Sequence, residues 1–435
     1  MKRFLFDKLV KWKDEKDRKP LIIRGARQVG KTWLMKEFGK NAFSSVAYLN
    51  FEQSKNLKNV FDAGFDIPRL ITAIEIETNQ KINPQNTLII FDEIQESEGA
   101  LTSLKYFYEN APEYYIMAAG SLLGVSLHKQ RSFPVGKVAF VDLYPLSFGE
   151  FLLALNKEPL YNLLQSKDWS LITSFKSTFI EMLKHYYFVG GMPESVKSFA
   201  QENDFNQVRQ IQEQLLAAYE QDFSKHAPYD IVPRIRMVWK SIPAQLAKEN
   251  KKFIYGLIKQ GARAKEFELA IAWLCDAGLV QKIQRVSKPA IPLIAYQDNS
   301  DFKLYLFDVG LLCAMGSIDQ KTLINGDELF KEFKGAMTEQ YVLQQLICND
   351  TLSVYYWASE KSKAEIDFLI QYKNEIIPIE VKAAENLKAR SLKSFYEQYN
   401  PSTSIRTSLS DYRKEAWLIN VPLYATTNLM AHLPF

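Results

Sequence analysis

LIIRGARQVGKTWLMKEFG, residues 21–39, runs from branched apolar residues through a glycine-rich turn into a segment with helical apolar spacing. Gly25–Thr32 within it reads GARQVGKT and satisfies G-x-x-x-x-G-K-[ST] in full. The glycines let the loop curl so that successive backbone N–H groups face a phosphate chain. Lys31 is the candidate for the β- and γ-phosphates and Thr32 for a Mg²⁺ ligand, with the positive end of the following helix at the same place. The expected ligand is ATP with Mg²⁺. The expected contacts are Gly25, Ala26, Arg27, Gln28, Val29, Gly30, Lys31, Thr32 and Trp33, with Asp92 from further along the chain.

Asp92 follows the four-residue apolar strand within NTLIIFDEIQ, residues 86–95, a run of the kind a parallel strand covered on both faces requires. It is read as the second Mg²⁺ holder, and Glu93 as the residue that readies the attacking water. VAYLNFE (46–52) and YYIMAAGS (114–121) supply further strands. Ser121, just past the second of them, reads as a γ-phosphate or water sensor or as a plain helix cap. Strands alternating with helical stretches predict an α/β nucleotide-binding core with a parallel sheet. A small-molecule kinase shares most of this pattern; the acid directly after Asp92 favours hydrolysis. Arg131 and Lys137, ahead of FVDLYPLSFGEFLLAL (140–155), are either finger-like cations for a phosphate or a solvated basic loop.

At 435 residues the chain is long for one hydrophobic core, and its composition, 47% hydrophobic and 24% charged, is that of a globular protein. Three scattered cysteines and four dispersed histidines argue against a disulfide frame and a histidine-rich zinc site. The opening MKRFLFDKLVKWKDEKDRKP has bases but no apolar run of signal-peptide length, and no window resembles a membrane span. A cytoplasmic location without membrane contact is expected; oligomeric state is not legible.

HYYFVGGMPESV (185–196) sets Gly190–Gly191 and Pro193 between helices, a predicted turn and hinge. Residues 231–265 then hold nine Lys or Arg against the single acid Glu249, although the whole chain is only +4. A helical segment (264–278), a strand, and KLYLFDVGLL (303–312) follow, the order of a winged-helix unit. Such a unit binds the phosphate backbone of DNA, docks a protein partner, or simply presents a solvated face.

AEIDFLIQYKNEIIPIEVKA, residues 364–383, reads as two apolar strands around a polar turn. Asp367 lies in the first; Glu380 and Lys382, two apart in the second, point to one face. Carboxylates there are costly unless a cation joins them. Asp367 and Glu380 are the candidate ligands of Mg²⁺ or Mn²⁺. Lys382 would orient or activate water, and Glu339, from the amphipathic KGAMTEQYVLQQLI (334–347), would assist. The bland alternative is a salt-linked strand pair that cuts nothing.

GARQVGKT, LIIFDEIQ, Gly120–Ser121, DLYPLSFGEF, GGMPE, KLYLFDVGLL and EIDFLI…IEVK together resemble the bacterial and archaeal AAA-type ATPases whose C-terminal half is the domain catalogued as DUF4143. The resemblance implies an α/β chain with an AAA-type phosphate-loop core (1–200), a winged-helix middle (201–325) and a C-terminal fold similar to PD-(D/E)xK restriction endonucleases (326–435). It carries the phosphate-loop roles onto Lys31, Thr32, Asp92 and Glu93, and the nuclease-like roles onto Asp367, Glu380, Lys382 and Glu339. Members often have Gly-Arg where this chain has Gly136–Lys137, which would move an arginine finger elsewhere, with Arg131 as the candidate. The expected activity is ATP hydrolysis coupled to a DNA-facing nuclease-like module. The alternatives are an ATP-licensed endonuclease or a non-cleaving switch that docks a protein.

Overall fold

The computed structural model describes residues 1–121, 134–248, 251–325, 331–348, 352–360, 362–385 and 389–432. Arg131 lies outside the described residues. Packing divides the chain into two compact units, residues 2–144 with 276–278, and residues 145–275 with 279–435 and Met1.

The first unit is built on a five-stranded, wholly parallel sheet of β1 (Leu21–Arg24), β2 (Ser45–Asn50), β3 (Thr87–Asp92), β4 (Tyr115–Ala119) and β5 (Ala139–Asp142) in the order β2-β3-β4-β1-β5. All six residues of β3 are buried, as its unbroken apolar run requires. Helix Ile67–Thr78 is started by Asp66, whose carboxylate caps the amide of Arg69, with a proline in its first turn. β1 lies between β4 and β5, and the chain leaving it crosses to β2 at the far side of the sheet. The loop after β1 therefore opens at a switch point, where α/β sheets take their ligands.

The second unit holds an eight-stranded mixed sheet: β6 (Val280–Val286), β7 (Gln297–Leu306), β8 (Val354–Ala358), β9 (Glu365–Tyr372), β10 (Glu375–Val381), β11 (Ile405–Ser408), β12 (Arg413–Lys414) and β13 (Ile419–Pro422), in the order β12-β13-β11-β10-β9-β8-β6-β7. β9 and β10 form the predicted antiparallel hairpin, turning at Lys373 with φ 53°. β6 and β7, where a wing was expected, form an antiparallel pair that is continuous with the C-terminal sheet. β6 pairs in parallel with β8 through Arg285 opposite Tyr356 and Val286 opposite Trp357, and so joins the C-terminal sheet. Residues 145–200 likewise pack in this second unit. The partition thus departs from blocks at 1–200, 201–325 and 326–435, because pairing between distant strands leaves no local mark in sequence.

Gly190–Gly191, read in sequence as a turn and hinge, is a place of close backbone contact. A Cβ on Gly191 would stand 2.2 Å from the Leu146 carbonyl oxygen, and one on Gly190, at φ 73°, 2.2 Å from Asp308 Oδ1. The buried Asp308 accepts from Gly191 N at 2.7 Å, Leu311 N at 3.0 Å and Gln344 Nε2 at 3.0 Å. The nearby SFGE stretch is a capping box: Ser147 Oγ accepts from the Glu150 amide, and Glu150 Oε2 from the Ser147 amide. Among the described residues no helix is long and apolar enough to cross a membrane.

Candidate functional site

The strand ends of the first unit bring the predicted residues of the phosphate loop to one edge. Gly25 stands at φ 145° and a Cβ there would lie 2.3 Å from the Leu143 carbonyl oxygen, so only glycine fits. Gln28 (φ 64°) and Gly30 (φ 95°) are also left-handed, which curls the loop before helix Lys31–Ala42 begins. Ala26 and Val29 are buried, Trp33 is exposed, and Arg3 Nη1 donates to the Val29 carbonyl at 3.2 Å.

Lys31 is folded back into this curl, with Nζ donating to the carbonyls of Gly25 at 2.9 Å and Ala26 at 2.8 Å. Burial pulls its ammonium down to about 8, against the opposing charges of Glu93 and Asp92, and Arg27 adds to the depression. Thr32 Oγ1 donates to Asp92 Oδ2 at 2.7 Å, and Tyr48 Oη, unforeseen in sequence, donates to the same oxygen at 2.8 Å. Burial and then the Asp92 charge push the Tyr48 phenol up to about 12.

Glu93 adopts the left-handed backbone (φ 49°, ψ 45°), a conformation rare for a non-glycine residue and one that costs about 1–3 kcal/mol. Its carboxylate accepts from Ser121 Oγ at 3.1 Å, Ser121 N at 3.3 Å and Gln95 Nε2 at 2.7 Å. Burial alone would raise this carboxyl. The donors from Gln95 and Ser121, with the charge of Lys31, outweigh it and hold the group below its ordinary value. Ser121 is therefore joined to Glu93, which its sequence position did not reveal. Lys137, the alternative cation, is paired with Glu109 at 2.9 Å. A glycine-only cradle, a lysine bound only to neutral carbonyls, and a hydroxyl beside an aspartate fit a Mg²⁺-bound polyphosphate.

The second constellation lies in a cleft of about 760 Å³ whose lining includes Glu339, Asp367, Glu380 and Lys382. Asp367 comes from β9 and Glu380 from β10, while Glu339 comes from helix Lys331–Ile347. Lys382 Nζ meets Glu380 Oε1 at 2.6 Å, the predicted same-face pair. Burial works against that ammonium, but the charge of Glu380 more than compensates and raises it. Asp367 Oδ2 accepts from Val381 N at 2.8 Å; burial first, then the charge of Glu339, pushes this carboxyl up to about 7.

Three partners came from outside the sequence motif. Lys251, in the basic stretch, holds Glu339 Oε1 at 2.5 Å, and Tyr305 Oη donates to Glu339 Oε2 at 3.1 Å. Lys303, 1% exposed, is paired with Glu365. Burial would raise Glu339, yet Lys251 and Lys303 hold it below its ordinary value. The nine-base run and KLYLFDVGLL both contained the signal, but nothing local tied either to the acids.

Among the described residues no group of three or more His, Cys, Asp or Glu side chains is arranged to hold a metal ion. The donor set on offer is the pair Asp367 and Glu380. Glu380 Oε2 is buried with no hydrogen-bond partner, in a side chain 3% exposed. A buried carboxylate oxygen left unsatisfied is what a cation relieves, and Mg²⁺ is commonly held by only one or two carboxylates with waters. The pair fits such an ion.

Residues 17–152 match the family described as AAA domain, residues 334–424 the domain of unknown function DUF4143, and residues 180–322 the domain of unknown function DUF8612. No curated protein matches the chain. Among solved structures, the Walker-type ATPase of Pyrococcus abyssi is 14% identical, covering 72% of this chain and 94% of that one, with a TM-score of 0.45. The Orc1 protein of Aeropyrum pernix in complex with DNA is 11% identical over 72% of this chain and 90% of that one, at 0.27. Drosophila ORC bound to DNA is 13% identical over 72% and 93%, at 0.26. These structural likenesses are remote. From the phosphate-loop geometry and the family matches together, the chain carries an N-terminal AAA-type P-loop ATPase domain of α/β fold and a C-terminal DUF4143 domain.

Proposed function

We propose that the chain hydrolyses ATP and that its nucleotide state governs a metal-dependent, DNA-facing phosphodiester site in the C-terminal cleft. The observation that carries this reading is the Lys31–Thr32–Asp92–Glu93–Ser121 cluster at one edge of a parallel sheet. Bound Mg²⁺ would neutralise phosphate charge, with Thr32 and Asp92 as its protein neighbours. Lys31 exchanges two neutral carbonyls for phosphate oxygens, and Glu93, released from Ser121, takes the proton of the attacking water. Ser121 then senses the terminal phosphate in place of Glu93.

In the cleft, Asp367 and Glu380 hold the divalent ion, which would activate water and stabilise the phosphoryl charge. Lys382 orients that water and Glu339 supports it. The nuclease-like fold comprises β8 to β13 with helix Lys331–Ile347. The helices of 205–276 with hairpin β6–β7 act as a winged-helix-like flank whose basic residues attract the phosphate backbone.

The test is direct. K31A abolishes ATP hydrolysis, and E93Q binds ATP without turning it over; undiminished phosphate release by both purified variants refutes the ATPase. Mn²⁺-dependent nicking of duplex, single-stranded or branched DNA that D367A and K382A each remove supports the second site. The three lysine–carboxylate pairs in the cleft favour a second reading, a non-cleaving platform that docks a protein. It prevails if no metal yields cleavage while ATP turnover persists.

A further inference from the structure

The acids of the cleft meet more cation than the predicted motif calls for, part of it from behind the lining. Lys382 pairs with Glu380, Lys303 with Glu365, and Lys251 with Glu339. The first of these belongs to the E-x-K pattern itself. Lys303 is enclosed, 1% exposed, with its Nζ 4.8 Å from the Tyr356 ring centre.

Lys251 is different in origin. It reaches Glu339 from a position past the end of helix Val232–Leu246, at a left-handed backbone angle of φ 50°. The residues after it are pinned. Lys252 pairs with Asp301, Phe253 N donates to the Phe302 carbonyl at 2.9 Å, and the two phenyl rings stack at 5.1 Å. Ile254 is bound through both backbone groups to the Gln245 side chain, at 2.9 Å each. The main chain is thus fixed along the edge strand, and only the long lysine side chain needs to move for its charge to leave Glu339. Lys248 and Lys363 line the same cleft and extend the basic wall beside it.

A carboxylate oxygen that binds an ammonium at 2.5 Å is not free for a divalent ion. Bringing Mg²⁺ or Mn²⁺ to Asp367 and Glu380 while Lys251 stays on Glu339 places like charges together in a partly buried space. Moving Lys251 away without a new acceptor strands its charge. A phosphate oxygen of a nucleic-acid backbone supplies that acceptor.

Resting on the reading of this cleft as a divalent-metal site, we propose that Lys251 is a positioning residue that couples metal to phosphodiester. It occupies Glu339 when the cleft is empty and transfers to a backbone phosphate when nucleic acid enters, so that metal and nucleic acid strengthen each other's binding. Reciprocity follows from linkage: whatever factor DNA adds to metal affinity, metal adds to DNA affinity.

The test measures Mn²⁺ binding to the full chain by calorimetry, without DNA and with a short duplex, in wild type and K251M. Wild type is expected to bind Mn²⁺ weakly alone and more tightly with duplex. K251M is expected to bind Mn²⁺ alone about tenfold tighter or more, since a competing charge is gone, and to lose the gain from duplex. Equal or weaker affinity of folded K251M for Mn²⁺ alone overturns the proposal. So does a wild-type Mn²⁺ affinity indifferent to duplex, a measurement that needs no variant. Absence of Mn²⁺ binding in both proteins, with or without duplex, instead removes the metal reading on which the proposal rests.

Discussion

The phosphate loop and the C-terminal cleft each bury a lysine near carboxylates, but they satisfy those charges in opposite ways. In the loop, Lys31 donates to two carbonyls, Asp92 accepts from the hydroxyls of Thr32 and Tyr48, and Glu93 accepts from Ser121 and Gln95. Those bonding partners carry no formal charge. In the cleft, Glu339, Glu365 and Glu380 each meet an ammonium. Neutral partners can be exchanged for a ligand without stranding a counter-charge, so the loop keeps its full charge for a metal-bound polyphosphate. The cleft has spent most of its charge internally, and an incoming cation must compete for it.

The contrast is open to attack at several points. The largest effect concerns independence of the chemistry. E93Q should lower ATP turnover about 10²- to 10⁴-fold while leaving Mn²⁺ binding in the cleft intact. D367A should remove that Mn²⁺ binding while basal ATP turnover stays within about twofold. Parallel phosphate-release and calorimetric measurements decide it; loss of both properties in either variant would dissolve the division.

A pH titration separates the buried Lys31 from a solvated one. Its folded value of about 8 lies below the ordinary 10.5, so below pH 8 the lysine is charged in both folded and unfolded chains and its burial penalty is fully present. Between these values the folded chain releases its proton first, and stability therefore rises with pH. Relative to K31M, nucleotide-free wild type should gain about 3 kcal/mol from pH 7 to above pH 10, read by urea unfolding of both proteins.

For the cleft, Mn²⁺ at about 100 times its dissociation constant should add about 2.7 kcal/mol to stability, visible as a rise in Tm that a chelator reverses. E380Q should abolish the rise, because the unpartnered Oε2 is lost as an anionic ligand. The smallest effect tests Gln95. Q95L removes a donor to the Glu93 carboxylate, raises its pKa and moves the acid limb of the ATPase profile upward. An unmoved limb would mean that Ser121 and the charge of Lys31 hold Glu93 without Gln95.

What could be read along the chain was whatever is local in physics. GARQVGKT, the buried run ending in Asp92, and the hairpin bearing Asp367 and Glu380 declare themselves because loop curvature, strand burial and same-face spacing depend on near neighbours. Two of the stretches that carry the family resemblance, SFGE and GGMPE, serve packing. SFGE is a helix cap, and GGMPE with the FDVG of 307–310 builds the contact around Asp308.

Only tertiary structure joined Ser121 to Glu93, Tyr48 to Asp92, hairpin β6–β7 to the C-terminal sheet, and Lys251 to Glu339, the last across 88 residues of chain. The reason is physical. A backbone motif is set by steric rules acting over a few residues, whereas the partner of a buried charge is chosen by what the whole fold brings within hydrogen-bonding distance.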